Sequence, residues 1–233
     1  MQNRSNIMVI SFALSLLFWW YQTGSVYLAV GVLALIFVHE MGHFLAARLK
    51  NLRVSPPIFM GPLGAFISME EQPSSARDEA FMAIAGPVFG TIAGIITVAL
   101  GVVLGVPEMF ALAGWAFWLN FFNLVPLAPL DGGRISMAIE RRMWVLGLPM
   151  ILWMLFTGPG ASYGTIVLML ILFNAWTDIQ NRKRMADEWP SYFDVGFATR
   201  IGYAVTYLGL AAFLFWTISN PTGLVHLLYR VLP

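Results

Sequence analysis

The chain is dominated by apolar runs of bilayer length. They cover roughly residues 7–22, 26–48, 78–105, 108–125, 144–158, 162–180 and 198–219, and a helix needs about 20 apolar residues to cross the hydrocarbon of a membrane. Hydrophobic residues make up 59% of the 233, and charged residues only 11%. An ordinary soluble domain carries about 25% charged residues. A soluble fold could not hide this much apolar surface. The run at 144–158 is short and reads as a half-span, or as a continuation of the segment from Asp131. The sequence therefore predicts an all-α polytopic membrane protein with six or seven transmembrane helices. The first run follows Arg4 as a signal sequence would. Tyr21-Gln22-Thr23-Gly24 offers no small-x-small cleavage site, so residues 1–25 read as a retained first span.

Orientation follows from the basic residues. With the N-terminus in the cytosol and each run crossing once, every one of the 13 Lys and Arg residues except Arg230 falls on the cytosolic side, as the positive-inside rule requires. The net charge of +1 leaves no broad basic field, which excludes nucleic acid as a partner. Cysteine is absent. Disulfides and thiolate metal sites are thereby excluded, and any metal must be held by His and carboxylate.

Two stretches between the runs differ from free loops. Asn51 to Arg77 contains Pro56-Pro57 and then Gly61-Pro62-Leu63-Gly64-Ala65-Phe66-Ile67-Ser68-Met69. It is too apolar for a solvated loop and too broken for a span, so a hairpin or re-entrant segment is expected. Irregular backbone at membrane depth is tolerated only against protein or a wet cavity. A cavity beside the second span is thus implied. In the third span, Gly86, Gly90 and Gly94 recur every fourth residue, the pattern of close helix packing. The polar stretch 181–197 reads as a solvated connection.

The chemistry-bearing residues lie within this apolar context. His39-Glu40-Met41-Gly42-His43 places two histidines four apart. On a helix they share a face and can reach one metal ion, and Glu40 stands beside that face, where a general base would stand. An ionisable residue inside a span costs about 2.5–3.5 kcal/mol on insertion scales, which makes it a functional candidate. A catalytic zinc takes three protein ligands. His226 lies in the C-terminal tail, on the opposite side in this topology, and is a poor third ligand. Asp131 is the better one. It lies in Asn123-Leu124-Val125-Pro126-Leu127-Ala128-Pro129-Leu130-Asp131-Gly132-Gly133-Arg134, which ends the fourth span and where two prolines and two glycines prevent a continuous helix. Taken alone, Asp131 also reads as an N-cap of the next helix. Asn123 sits between Phe121-Phe122 and Leu124-Val125. It would hold substrate or an oxyanion, or bridge two helices.

These motifs resemble the site-2 protease family of intramembrane zinc metalloproteases, peptidase family M50. The family carries HExxH on one span and Asn-x-x-Pro-x-Pro-x-Leu-Asp-Gly on a later one. Here Asn123, Pro126, Leu130, Asp131 and Gly132 fall in register, while Ala128 replaces the second proline and Pro129 follows one residue late. Ala85-Gly86-Pro87 also matches, and the 61–69 segment resembles the family's membrane-associated β-hairpin between the second and third spans. The resemblance covers residues 26–142, read as the catalytic core, with 143–233 as C-terminal transmembrane helices and tail. It is similar to a compact form without PDZ or CBS domain. It implies one zinc per chain on His39, His43 and Asp131, Glu40 as catalytic base, and Asn123 at the substrate. It further implies a transmembrane protein substrate, a regulatory membrane partner, and residence in a bacterial or archaeal cell membrane with the site toward the cytoplasm. The residues also admit a transporter that passes protons or metal ions, or a catalytically silent substrate-binding homologue.

Overall fold

Apolar side chains on a backbone that must satisfy its own hydrogen bonds leave the helix as the default. The computed structural model describes residues 2–55, 58–59, 65–66, 73–157 and 164–231. These residues form the helices α1 (Gln2–Thr23), α2 (Val26–Leu49), α3 (Ala76–Leu104), α4 (Glu108–Asn123), α5 (Asp131–Ile139), α6 (Trp144–Thr157), α7 (Gly164–Glu188), α8 (Phe197–Ser219) and α9 (Gly223–Val231). The protein is mostly helical, as its sequence predicts. Three of these helices, α2, α3 and α8, are long and apolar enough to cross a membrane. Their outward faces keep large apolar side chains exposed, among them Ile96, Val103, Val205 and Leu208. Lipid is the solvent such faces fit. Helix α4 has 16 residues and α6 has 14, short of a full crossing.

Between α2 and α3, two short strands pair antiparallel. In β1 (Ile58–Phe59) and β2 (Ala65–Phe66), Ile58 faces Phe66 and Phe59 faces Ala65. The hairpin expected over 61–69 otherwise lies outside the described residues.

Helix α3 is the central element. It packs against α2, α4 and α5, and also meets α8 and α9. Its glycines make this possible. A Cβ at Gly94 would lie 2.6 Å from the ring of Phe117 on α4, and one at Gly101 would lie 2.8 Å from Phe110. The approach of α2 is equally tight, since a Cβ at Gly42 would come within 2.5 Å of the Ala85 carbonyl oxygen. The glycine spacing thus marks helix packing, and it also makes room for the polar side chains described below.

The fourth apolar run breaks after Asn123. Leu124 to Leu130 form a non-helical segment in which Leu124, Val125 and Leu127 are buried and the Ala128–Pro129 peptide is cis. Buried non-helical backbone must find partners. The Leu127 amide donates to the Val125 carbonyl at 2.7 Å, the Leu130 amide to the Leu127 carbonyl at 3.0 Å, and the Tyr207 hydroxyl of α8 to the Leu124 carbonyl. Helix α5 then folds back onto this segment. The contact is so close that a Cβ at Gly132 would lie 2.1 Å from the Leu124 oxygen. From α8, Arg200 donates to the carbonyl of Ile139, the last residue of α5, a favourable partner for a helix C-terminus.

The stretch 181–197 is mostly exposed, as its composition leads one to expect, but two of its residues turn inward. Tyr192, in the 3-10 turn Pro190–Phe193, and Val195 are buried against Ala76, Ala80, Met137 and Ala138 of α3 and α5. The aromatic ring supplies apolar area that the surrounding charges hide in the composition.

Gly132→Ala is expected to destabilise the protein by about 1–3 kcal/mol, the usual cost of overpacking. Thermal unfolding in detergent reads the effect, and an unchanged midpoint would show that α5 can withdraw from the segment freely.

Candidate metal centre

Helix α2 begins at Ser25, whose hydroxyl accepts from the Leu28 amide at 3.4 Å. Such caps are worth about 1 kcal/mol. From there the helix runs unbroken through His39, Glu40 and His43. The four-residue spacing turns both imidazoles toward α3, and Gly86 receives them. A Cβ at Gly86 would lie 2.3 Å from His43 Nε2 and 2.8 Å from His39 Nε2.

The outer nitrogen of each ring is held by an acceptor. His43 Nδ1 lies 2.8 Å from the carbonyl oxygen of Met82. Nearby Pro87 has no N–H for the Ala83 carbonyl, so the hydrogen-bond ladder of α3 is interrupted next to this point. His39 Nδ1 lies 2.8 Å from Asn120 Oδ1. The Asn120 amide nitrogen donates to Ala116 O at 2.7 Å, which fixes which end of the amide faces the ring. Carbonyl and amide oxygens only accept. Both Nδ1 atoms therefore carry protons, and both Nε2 atoms turn their lone pairs inward.

Asp131 completes the cluster. It is the first residue of α5, with Leu130 in the N-cap position, so its carboxylate does not cap the helix. Asp131 Oδ2 lies 3.1 Å from His39 Nε2 and 3.2 Å from His43 Nε2, and the two Nε2 atoms are 3.1 Å apart. The three form a nearly equilateral triangle of electron-pair donors. Tetrahedral bonds of about 2.0–2.1 Å place neighbouring donors about 3.3 Å apart. The triangle matches that spacing, and one divalent cation satisfies all three donors together. The donor set, two imidazoles and a carboxylate, suits zinc. His39, Glu40 and Asp131 are each 7% exposed, so the centre is almost dry yet still reachable.

The other candidates lie elsewhere. His226 is exposed on α9 and takes no part in the cluster. Asn123 is half-buried at the end of α4 and donates one amide hydrogen to the Leu119 carbonyl at 3.2 Å, within its own helix. Asn120, which no motif singles out, is the side chain that meets His39. It is 3% exposed and lodges where α3 has Gly90, at which a Cβ would lie 2.3 Å from Asn120 Oδ1. The signal was present in Phe117-Trp118-Leu119-Asn120-Phe121-Phe122. An amide in so apolar a run needs a partner as much as Asn123 does.

The sequence model of peptidase family M50 matches residues 27–108. The chain is also 30% identical over 114 residues to a zinc metalloprotease of Methanocaldococcus jannaschii, an alignment covering 47% of this chain and 33% of that protein. Over these residues the chain is similar to peptidase family M50. Two plant relatives are named probable chloroplastic zinc metalloproteases. That of Arabidopsis thaliana is 27% identical over 154 residues, covering 46% of this chain and 28% of its own. That of Oryza sativa is 27% identical over 161 residues, covering 50% and 30%. The chain spans about a third of the length of the curated relatives it matches. The M50 family and the relatives' names imply zinc, which the donor triangle fits. The M50 match holds His39, Glu40, His43 and Gly86 but stops before Asp131. For Asp131, the convergence of its carboxylate on the two imidazoles is therefore an independent observation.

Asn120→Ala is expected to weaken zinc binding by about 10–100-fold, the usual loss when a partner behind a ligating histidine is removed. Competition with a chromophoric chelator measures it, and wild-type affinity would show that the Asn120 contact does not matter to His39.

Proposed function

We propose that the chain is a zinc metallopeptidase that hydrolyses a peptide bond within or near a transmembrane segment of another protein. One observation carries this reading: the two histidines of a bilayer-length helix and the carboxylate of a broken one converge on a single metal-sized triangle. In this reading the chain crosses the membrane six or seven times, with the centre toward the cytoplasmic face. The three bilayer-length helices and the placement of basic residues support it. A role in regulated proteolysis of a signalling protein, with a regulatory membrane partner, belongs to the same proposal.

His39, His43 and Asp131 would hold the zinc, and Glu40 and Asn123 would act on the substrate. When bound, zinc supplies Lewis-acid polarisation of the scissile carbonyl and an acidified water. Glu40 follows His39 on α2 and is equally buried. It takes the proton that the attacking water loses and delivers it to the leaving amine. Asn123 offers its second N–H to the substrate backbone or to the developing oxyanion. A helical peptide bond is shielded by its own hydrogen bonds, so the substrate must unwind. The paired strands β1 and β2 would offer an edge on which the extended peptide pairs.

Two substitutions separate binding from chemistry. Glu40→Gln is expected to keep one zinc per chain and lose cleavage of a membrane-protein substrate in detergent. Cleavage at the wild-type rate would remove Glu40 as the base. Asp131→Ala is expected to lower bound zinc after dialysis against chelator, and full zinc content would take Asp131 out of the ligand set.

A further inference from the structure

Beyond the ligands, one chain of polar contacts runs out of the centre to the α7–α8 connection. Arg134 stands on α5 one turn beyond Asp131, and its Nη1 lies 4.0 Å from Asp131 Oδ1. Its Nε donates to Glu79 Oε1 at 3.3 Å. Glu79, in the first turn of α3, accepts on its other oxygen from the Tyr192 hydroxyl at 2.6 Å. All of these groups are shielded: the side chains of Arg134, Glu79 and Asp131 are 21%, 14% and 9% exposed, and Tyr192 is buried.

This arrangement divides the two oxygens of Asp131. Oδ2 faces the imidazoles and Oδ1 faces the guanidinium. The terminal torsion of an aspartate is broad and does not by itself select one orientation. The guanidinium charge 4.0 Å away attracts Oδ1 and favours the orientation that leaves Oδ2 toward the imidazoles. The fork is in turn oriented by Glu79, and Glu79 by Tyr192. The geometry points to Arg134 as a positioning residue for the metal-binding carboxylate, held in place by Glu79 and Tyr192. The connection between α7 and α8 thereby sets the affinity of a centre it does not touch. This inference rests on the metal-centre reading above.

The test is zinc affinity, measured by chelator competition on the purified chain in detergent, with zinc as the only probe. Arg134→Gln is expected to bind zinc about 10–100-fold more weakly. Arg134→Lys, which keeps the charge without the fork, is expected to fall between that variant and wild type. Tyr192→Phe removes one hydroxyl and leaves the packed ring; it is expected to lose affinity, by less than Arg134→Gln. The double variant Arg134→Gln with Tyr192→Phe is expected to bind no more weakly than Arg134→Gln alone, because both act through one path. Wild-type affinity in Arg134→Gln overturns the proposal, and so does full additivity in the double variant. Should Arg134→Gln fail to fold, Tyr192→Phe decides alone, and unchanged affinity there overturns it. His39→Ala separates the two readings. If it binds zinc as well as wild type, the metal centre itself falls, and the proposal with it. If it loses zinc while Arg134→Gln keeps it, only the positioning role falls.

Discussion

Three lone-pair donors within 3.2 Å of one another repel unless a cation joins them. The repulsion is strongest where the dielectric is low, and the interior of a membrane protein is such a place. The surrounding architecture answers this constraint. The Met82 carbonyl and the Asn120 amide turn the two imidazoles to one tautomer. Gly86 and Gly90 leave the space that the rings and the amide occupy. The broken fourth run turns back so that a carboxylate enters from a third direction. Each of these features would be a cost by itself: a glycine in a helix, a buried amide, a buried non-helical segment. Together they describe one cation-binding pocket.

Much of this was legible in the sequence, and the legible part has a common character. His39 and His43 are close in sequence, and helix geometry alone puts them on one face. The apolar runs give the helices because a bilayer admits few alternatives. Ser25 caps α2 by local chemistry. Asp131 is different, because it lies 92 residues from His39 and no local pattern joins them. Only counting ligands and comparing motifs brought it in. Asn120 was legible in principle, yet two asparagines three residues apart share one helix face, and spacing does not say which of them meets His39. The motif drew notice to Asn123, whereas the partner of His39 is decided by which face of α4 meets α2 and α3. That is a packing fact, and packing is not written in spacing. Tyr192 escaped for a related reason. Its polar neighbours mark the stretch as solvated, while its ring packs under α3 and α5.

The same contrast separates the two halves of the centre. The histidine half is a rigid helix and needs little outside help. The aspartate half is a short segment with two prolines, one cis peptide and a close-packed glycine. It holds its shape because α8 and the turn before it supply partners: Tyr207 to the Leu124 carbonyl, Arg200 to the end of α5, Tyr192 to Glu79. The family match reaches only the histidine half.

The bond from Tyr207 to Leu124 spans 83 residues of chain. Synthesis proceeds from the N-terminus, and segments organise as they emerge. Both histidines are therefore in the membrane well before the hydroxyl that steadies the third ligand's segment has been made. The segment that carries Asp131 gains this partner only when α8 docks, so the two ends of the centre are steadied by parts of the chain made far apart.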